Sequence, residues 1–483
     1  DPDDVAQGRL GNCYFLAAIA SCADKGDQLI RDLVIEDYLE QGLFGVKFFI
    51  NGRWRTVVID DCFPCKPAHA ADYRKNPATY KGGWTPVFAS PKVHADQDSN
   101  TREIWPLILE KAWAKLFRSF EATAGGSTSD AHHYLTGGFN TRVLLGKDAA
   151  DAAGQEKAWA ALRGAVGPGV ADPPFCSTSM RRKGLPKAAK QLQSELGLIT
   201  GHAYSALRVV EALGQRLIEI RNPWGSTEWK GRFSDTDRES WTQELQKAAD
   251  YDPNKDGTGE DGSFMMHWDD FVTYFEDVEI CDPRILRDMT TKRGATDSKV
   301  YLDGAYGQFV AGKTAGGMPR CSLYKYNPRY TLRVEEGREV YLTLYQPDKR
   351  LVKFLAEGET GLRMRVFIQG QEKPVLDLDQ WARFSSVKLP VTPKQDITLV
   401  VAASGPGFEG HFVLTAAGKD CSLVPQDLIT PTEADAAKMA KKNPYLCACG
   451  CGVAVLGKSF YPMPQGPVID TCYESSKGKS YAY

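Results

Sequence analysis

The feature that most constrains this chain is a cysteine at the head of an apolar run. Gln7-Gly8-Arg9-Leu10-Gly11-Asn12-Cys13 leads directly into Tyr14 to Ala20. That run predicts a helix over 13–24 with Asn12 as its N-cap. Most free cysteines are small buried apolar residues. A thiol at a helix start is different, because the positive end of the helix dipole favours thiolate over thiol. Gln7, in the turn before the helix, can aim an amide N–H at the oxygen of a substrate carbonyl.

Two further segments share this chemistry, Gly201-His202-Ala203-Tyr204 and Arg221-Asn222-Pro223-Trp224-Gly225. About 203–211 and 215–221 read as two strands of a hairpin with its turn near Ala212. Such a turn places His202 directly opposite Asn222, on the same face. A slip of one residue would put them on opposite faces. Taken singly, His202 reads as structural and Asn222, before a proline, as a turn residue. Cys, His and Asn in that chain order, with Gln ahead, are the parts of a papain-type thiol protease. His202 would take the thiol proton and Asn222 would hold the imidazole in the useful tautomer. Gln7 and the Cys13 N–H would hold the oxyanion. Trp224 would shield the His–Asn pair from water, if it is not simply core.

At 483 residues the chain exceeds one hydrophobic core. The expected fold is α+β: the Cys, His and Asn motifs imply a two-lobed papain-like core, the β-rich runs further on suggest an antiparallel β-sandwich, and a small Cys-containing C-terminal module follows. The expected divisions are 1–126, 127–285, 297–418 and 421–483. Leu43 to Ile50, Asn51-Gly52 and Arg53 to Ile59 form a hairpin pattern. Residues 65 to 102 read as a long ordered surface loop. Helices are expected over 104–120, 154–166 and 186–196, and Ala124 to Ser129 reads as a flexible joint between the lobes. Short β-rich runs fill 299 to 417. A capping box at Thr430-Pro431-Thr432-Glu433 predicts a helix with Pro431 in its first turn, ending near Lys442.

A net charge of −2 gives no bulk attraction to nucleic acid or to an anionic membrane. No run of about 18 apolar residues signals a spanning segment. The sequence begins at Asp1 without a methionine, which reads as a fragment or processed form. The twelve cysteines do not follow a secreted disulfide pattern. A working thiolate suits a reducing compartment, so the cytoplasm is the expected location.

The motifs resemble those of the calpains. Gln-Gly-x-x-Gly-Asn-Cys-Tyr, Gly-His-Ala-Tyr-Ser and Arg-Asn-Pro-Trp-Gly carry the resemblance. So do Glu103-Ile104-Trp105-Pro106 through Glu110-Lys111-Ala112, Gly125 to Ser129, Thr136-Gly137-Gly138 and Glu228-Trp229-Lys230-Gly231. The match covers about 1–282 closely. In the β-rich part it is looser, through Asn327-Pro328-Arg329-Tyr330, and it ends near 420.

The resemblance implies a calcium-dependent intracellular endopeptidase that makes limited cuts in protein substrates. It also implies one calcium per lobe, with Asp4 and Glu103 in the first and Glu228, Asp235 and Asp261 in the second. Ser263 stands where the family usually has a glutamate, which weakens the second site. Asp252 to Gly257 mimics the start of an EF-hand loop, but its twelfth position is Ser263. The chain thus resembles an atypical calpain without an EF-hand domain. The family allows peripheral membrane contact through the sandwich, although no residue here signals it. Cys447, Cys449, Cys451 and Cys472 could hold zinc, but their spacing is not that of a standard finger. Cys62-Phe63-Pro64-Cys65 reads as an ordinary cysteine pair. Two alternatives remain: a silent scaffold that keeps the fold, and a thiol acyltransferase. The scaffold has no need of all four catalytic residue types, and acyltransferases of this kind usually pair the histidine with Asp.

Overall fold

A computed structural model describes residues 5–24, 27–36, 38–75, 77, 81–91, 104–145, 152–181, 185, 188–253, 262–284, 300–346, 363–378 and 382–440. Asp4, Glu103, Asp261, the EF-hand-like loop from Asn254 onward and the four C-terminal cysteines lie outside these residues.

The helix Cys13–Asp24 begins at the cysteine and is buried on nearly every side from Tyr14 to Ala20. A helix apolar all round belongs in a core. Phe15 stacks on Trp113 at 4.6 Å, and Trp113 lies on the helix Trp105–Leu116, which has Pro106 in its first turn. The Trp113 indole N–H donates to the Tyr14 hydroxyl, which donates to the Thr123 carbonyl. Burying the Phe15 ring contributes about 1.5–3 kcal/mol. The hairpin Leu43–Ile50 and Arg53–Asp60 pairs Ile50 with Arg53 across Asn51-Gly52. Both turn residues have positive φ, as a tight two-residue turn requires. The 65–102 segment is more structured than a surface loop. Its described part holds the paired strands Cys65–Pro67 and Trp84–Pro86 and a helix, Ala70–Lys75.

The Ala124 to Ser129 joint is pinned rather than free. Gly125 N donates to Gly11 O at 2.8 Å. A Cβ on Gly126 would sit 2.5 Å from the Tyr14 ring. The glycines therefore serve close approach to the cysteine helix, not flexibility. Ser127 then caps the helix Thr128–Thr136 through the Asp130 N–H.

The second lobe is a six-stranded antiparallel sheet. Its order is Ser263–His267, Gln215–Arg221, Ala203–Ala212, Phe175–Met180, Phe275–Asp282 and Phe139–Leu144. The helix Ala152–Val166 forms as expected. Of the helix expected over 186–196, Ala189–Gln191 is α-helical and Leu192–Leu196 continues it as a π-helix to the expected end.

Val300–Phe309, Gly410–Lys419, Glu339–Tyr345 and Phe384–Pro390 make one sheet of the sandwich. Leu376–Leu378, Met364–Ile368, Ile397–Ala403, Arg329–Val334 and Cys421–Pro425 make the other. Leu332, Leu342, Val366, Leu399, Val401 and Leu414 fill the space between them with no exposed surface. The C-terminal helix starts later than expected. Thr432, not Thr430, accepts from Asp435 N and caps Glu433–Met439, so Pro431 lies outside the helix.

The sandwich packs on the core through aromatic side chains. His133 stacks on Phe384 at 4.0 Å and meets Phe49 edge-on at 5.4 Å. The hairpin turn at Gly52 approaches Thr415 so closely that a Cβ would be 2.6 Å from its methyl. Among the described residues no helix is long and apolar enough to cross a membrane.

Candidate active site

The hairpin that carries His202 and Asn222 does not have the expected register. Ala212 faces Gln215 across a turn at Leu213-Gly214. Continued unbroken, that register would put Asn222 on the face opposite His202. A register shift between Ala206 and Arg208 corrects this, and Ser205 then faces Arg221. The extra residue, Leu207, moves the pairing by one and so restores the shared face. The ladder ends at Ser205 and Arg221, and its register carried on sets Asn222 one diagonal step from His202, within side-chain reach. The expected direct opposition is wrong, yet the two side chains meet: His202 Nε2 and Asn222 Oδ1 are 3.0 Å apart.

The Asn222 amide has one sensible orientation. Its Nδ2 donates to the Ser226 and Thr227 carbonyls at 2.7 and 3.0 Å. Its Oδ1 also accepts from Trp224 N at 3.1 Å. Oδ1 therefore faces the imidazole as an acceptor, which places the proton on Nε2 and leaves the Nδ1 lone pair for a thiol proton. Burial pushes the His202 pKa down to about 4, against the opposing Asn222 hydrogen bond. Alone, the ring is a neutral base at pH 7. Trp224 covers it at 4.8 Å and Tyr204 meets it edge-on at 5.1 Å. The shielding expected of Trp224 thus has a geometric basis.

Cys13 is half-buried at the first turn of its helix. That helix packs against the strand Ala203–Ala212, which starts immediately after His202. The Cys13 charge contributes to the raised pKa of Tyr204, after the larger effect of burial. Gln7 is held from both lobes. Its Nε2 donates to Leu10 O at 2.8 Å, and its Oε1 accepts from the Trp224 indole N–H at 2.8 Å. An indole only donates, so the amide orientation is settled, and its second N–H remains for an oxyanion. Gly8 must be glycine, because a Cβ there would lie 2.0 Å from the Phe88 carbonyl.

Asn12 does not cap its helix with its side chain. Its carbonyl accepts from Phe15 N and Leu16 N, while its Nδ2 donates to Glu110 Oε1 at 2.7 Å. Motif reading gave Glu110 no role. The available signal was a carboxylate on the apolar stripe with Leu107, Trp113 and Ala114, where a buried charge is informative.

Of the residues named for calcium, Glu228 and Asp235 are described and both are buried. Glu228 Oε1 accepts from Gly262 N at 2.7 Å, and Asp235 Oδ1 accepts from the Tyr251 hydroxyl at 2.5 Å. Gly262 O in turn accepts from Asn222 N at 2.7 Å, so Glu228 and Asn222 grip the same glycine. Two buried carboxylates in one loop region are oxygen donors of the type calcium takes. Ser263 is buried in the strand paired with Arg221. Among the described residues, one group of three potential ligands lies close together, Asp60, Asp61 and Cys62. It is exposed, and Asp60 is held by Lys111. Cys62 and Cys65 are exposed free thiols.

The calpain family cysteine protease domain matches residues 1–282. Calpain-type cysteine protease ADL1 of Oryza sativa subsp. japonica is 32% identical over 361 residues, 71% of this chain and 14% of its own length. Calpain-9 of Rattus norvegicus is 29% identical over 472 residues, 91% of this chain and 62% of its own. Calpain-8 of Homo sapiens is 30% identical over 388 residues, 75% of this chain and 48% of its own. The chain thus spans less than two thirds of the length of these relatives. The domain match covers both segments that meet at His202 and Asn222, and with the fold it establishes that the chain belongs to the calpain family of cysteine proteases.

Proposed function

We propose that the chain is a cysteine endopeptidase that makes limited cuts in protein substrates, in a reducing compartment such as the cytoplasm. The observation that carries this reading is the fixed His202–Asn222 pair. It assigns Nε2 as donor and leaves Nδ1 as the base. His202 Nδ1 takes the Cys13 proton, and the thiolate attacks the peptide carbonyl carbon. The carbonyl oxygen becomes an oxyanion facing the second Gln7 amide N–H and the Cys13 backbone N–H. Collapse breaks the C–N bond, and the imidazolium gives its proton to the departing amine. Water, deprotonated by His202, then attacks the acyl-thioester, releasing the acid and restoring the thiol.

We further propose calcium as the activator. Glu228 and Asp235 would hold it in the second lobe, with Asp261, and Asp4 and Glu103 would hold it in the first. The ion would supply positive charge that draws its carboxylates together. Through Gly262, Glu228 is two hydrogen bonds from the Asn222 backbone, so order at Glu228 supports order at Asn222. Intact Gln7, Cys13, His202 and Asn222 weigh against the scaffold reading, and the amide partner weighs against an acyltransferase.

The test is casein hydrolysis by wild type and Cys13→Ala, with calcium and with chelator. Calcium-stimulated cleavage lost in Cys13→Ala supports the whole reading. Thiol-dependent cleavage in chelator keeps the protease and removes the calcium switch. No cleavage under any condition refutes the protease in favour of the scaffold. Amine incorporation in place of hydrolysis moves the function to acyl transfer.

A further inference from the structure

We infer that Glu110 is a positioning residue for the nucleophile, tying the loop that ends at Cys13 to the strand segment behind it. The inference rests on the protease reading of Cys13.

Glu110 lies on the helix Trp105–Leu116 and is 3% exposed. Its two carboxylate oxygens take two different donors. Oε1 accepts from Asn12 Nδ2 at 2.7 Å, and Oε2 accepts from Ala89 N at 2.8 Å. Asn12 immediately precedes the nucleophile, and its own carbonyl starts the nucleophile helix. Ala89 belongs to the segment that flanks the Gln7 loop. Val87 O accepts from Arg9 N at 3.2 Å, and Ser90 and Pro91 pair with Ala6 and Val5. One buried carboxylate therefore joins the front of the oxyanion loop to its back.

The ties of Arg9 to Val87 and of Gly125 to Gly11 run through the loop's backbone, and Gln7 makes its own to Leu10 and Trp224. The Asn12–Glu110 bond joins two side chains, both buried, 98 residues apart in sequence. Asn12 Oδ1 is buried without a hydrogen-bond partner, so this bond is what orients the Asn12 amide. Without Glu110, both polar ends of that amide would be unsatisfied, and Ala89 N with them. A loop relieved of this restraint would let Cys13 and Gln7 drift relative to each other. Both must address the same carbonyl, the thiolate its carbon and the amide its oxygen.

The role is geometric, so hydrogen-bond polarity matters and the charge itself does not. Glu110→Gln keeps both bonds if Asn12 turns its amide over. Asn12→Asp sets two carboxylates against each other and breaks the tie. Asn12→Asp with Glu110→Gln reverses donor and acceptor and restores it.

The experiment measures kcat and KM on a fluorogenic peptide, per Cys13 thiol titrated with a peptide-based affinity label that reacts only in the folded site, beside Cys13→Ala. Glu110→Ala and Asn12→Asp should each lose about 100-fold in kcat with KM changed less than about threefold. Glu110→Gln should stay within about threefold of wild type, and the double variant should regain at least about tenfold over Asn12→Asp. A purely structural role would lower the yield of titratable enzyme without moving kcat per thiol. If Glu110→Ala does not fold, Asn12→Asp and the double variant decide. Wild-type kcat in Asn12→Asp, or no recovery in the double variant, overturns the inference while active wild type leaves the protease standing. No thiol-dependent cleavage by wild type overturns both.

Discussion

His133 should make the docking of the sandwich on the protease core sensitive to acid. The ring is 1% exposed and lies against Phe49 of the first lobe and Phe384 and Tyr345 of the sandwich. Its Nδ1 faces Gly138 O at 2.6 Å, and Nε2 is buried with no hydrogen-bond partner. A proton on Nε2 would be a bare charge among aromatic rings. Burial accordingly pushes the His133 pKa down to about 4, partly opposed by the Gly138 bond. In the unfolded chain an ordinary histidine titrates near 6.5. Between those values the unfolded state binds a proton that the folded state refuses, so stability falls as pH falls through that window. Below about pH 4 both states are protonated and the slope ends. The full shift is worth about 3 kcal/mol, and at about pH 4.5 roughly 2.5 kcal/mol of it is lost.

The comparison is urea unfolding of wild type and His133→Phe at about pH 7.5 and about pH 4.5. Phenylalanine keeps the aromatic contacts and removes the titration, at a fixed cost from the lost Gly138 bond. Wild type should lose about 2.5 kcal/mol more than the variant between the two conditions. A difference between the proteins that does not change with pH would refute the argument, because the burial invoked here could not then be disfavouring the proton.

Asn222→Ala removes the acceptor that fixes the Nε2–H tautomer, and kcat should fall about 100-fold with KM little changed, in peptide hydrolysis. Trp224→Phe keeps a ring over His202 but removes the N–H that orients Gln7. It should cost about 1 kcal/mol of transition-state stabilisation, roughly fivefold in kcat/KM. Gly8→Ala forces the loop off the Phe88 carbonyl and should lower stability by about 1–3 kcal/mol, read as a drop in Tm.

The sequence carried the local elements whose cause is local. The cysteine helix begins at Cys13 because an apolar run starts there. Asn51-Gly52 closed the first hairpin because both positions need positive φ. Strands such as Glu339–Tyr345 and Ile397–Ala403 were legible because short runs of aromatic, β-branched and other apolar residues fit a strand, the second buried on both faces from Leu399 onward. The four candidate site residues stood out because thiol-protease chemistry calls for those residue types in that order.

Contacts between distant segments were not legible. The helix ending at Leu196 widens to a π-helix over Leu192–Leu196, which propensity alone does not report. Thr432 rather than Thr430 took the cap, and two threonines of equal chemistry give no local reason to choose. The register of the His–Asn hairpin depended on a bulge at Leu207, which no local pattern announced. Asn12 looked like a cap because of its type, but a buried glutamate from another helix held its side chain instead.

By itself, then, the sequence marked the groups proposed for chemistry and most of the segments that became helix or strand, though not the strands Cys65–Pro67 and Trp84–Pro86 or the helix Ala70–Lys75. What it marked follows from residue type and short-range periodicity. The tertiary structure alone decided which way the Asn222 and Gln7 amides point, and that Trp224 spans the lobes to hold Gln7. It alone tied Glu110 to Asn12, the residue before Cys13. Such outcomes depend on hydrogen-bond partners that lie far apart in the chain and become neighbours only when the core has packed.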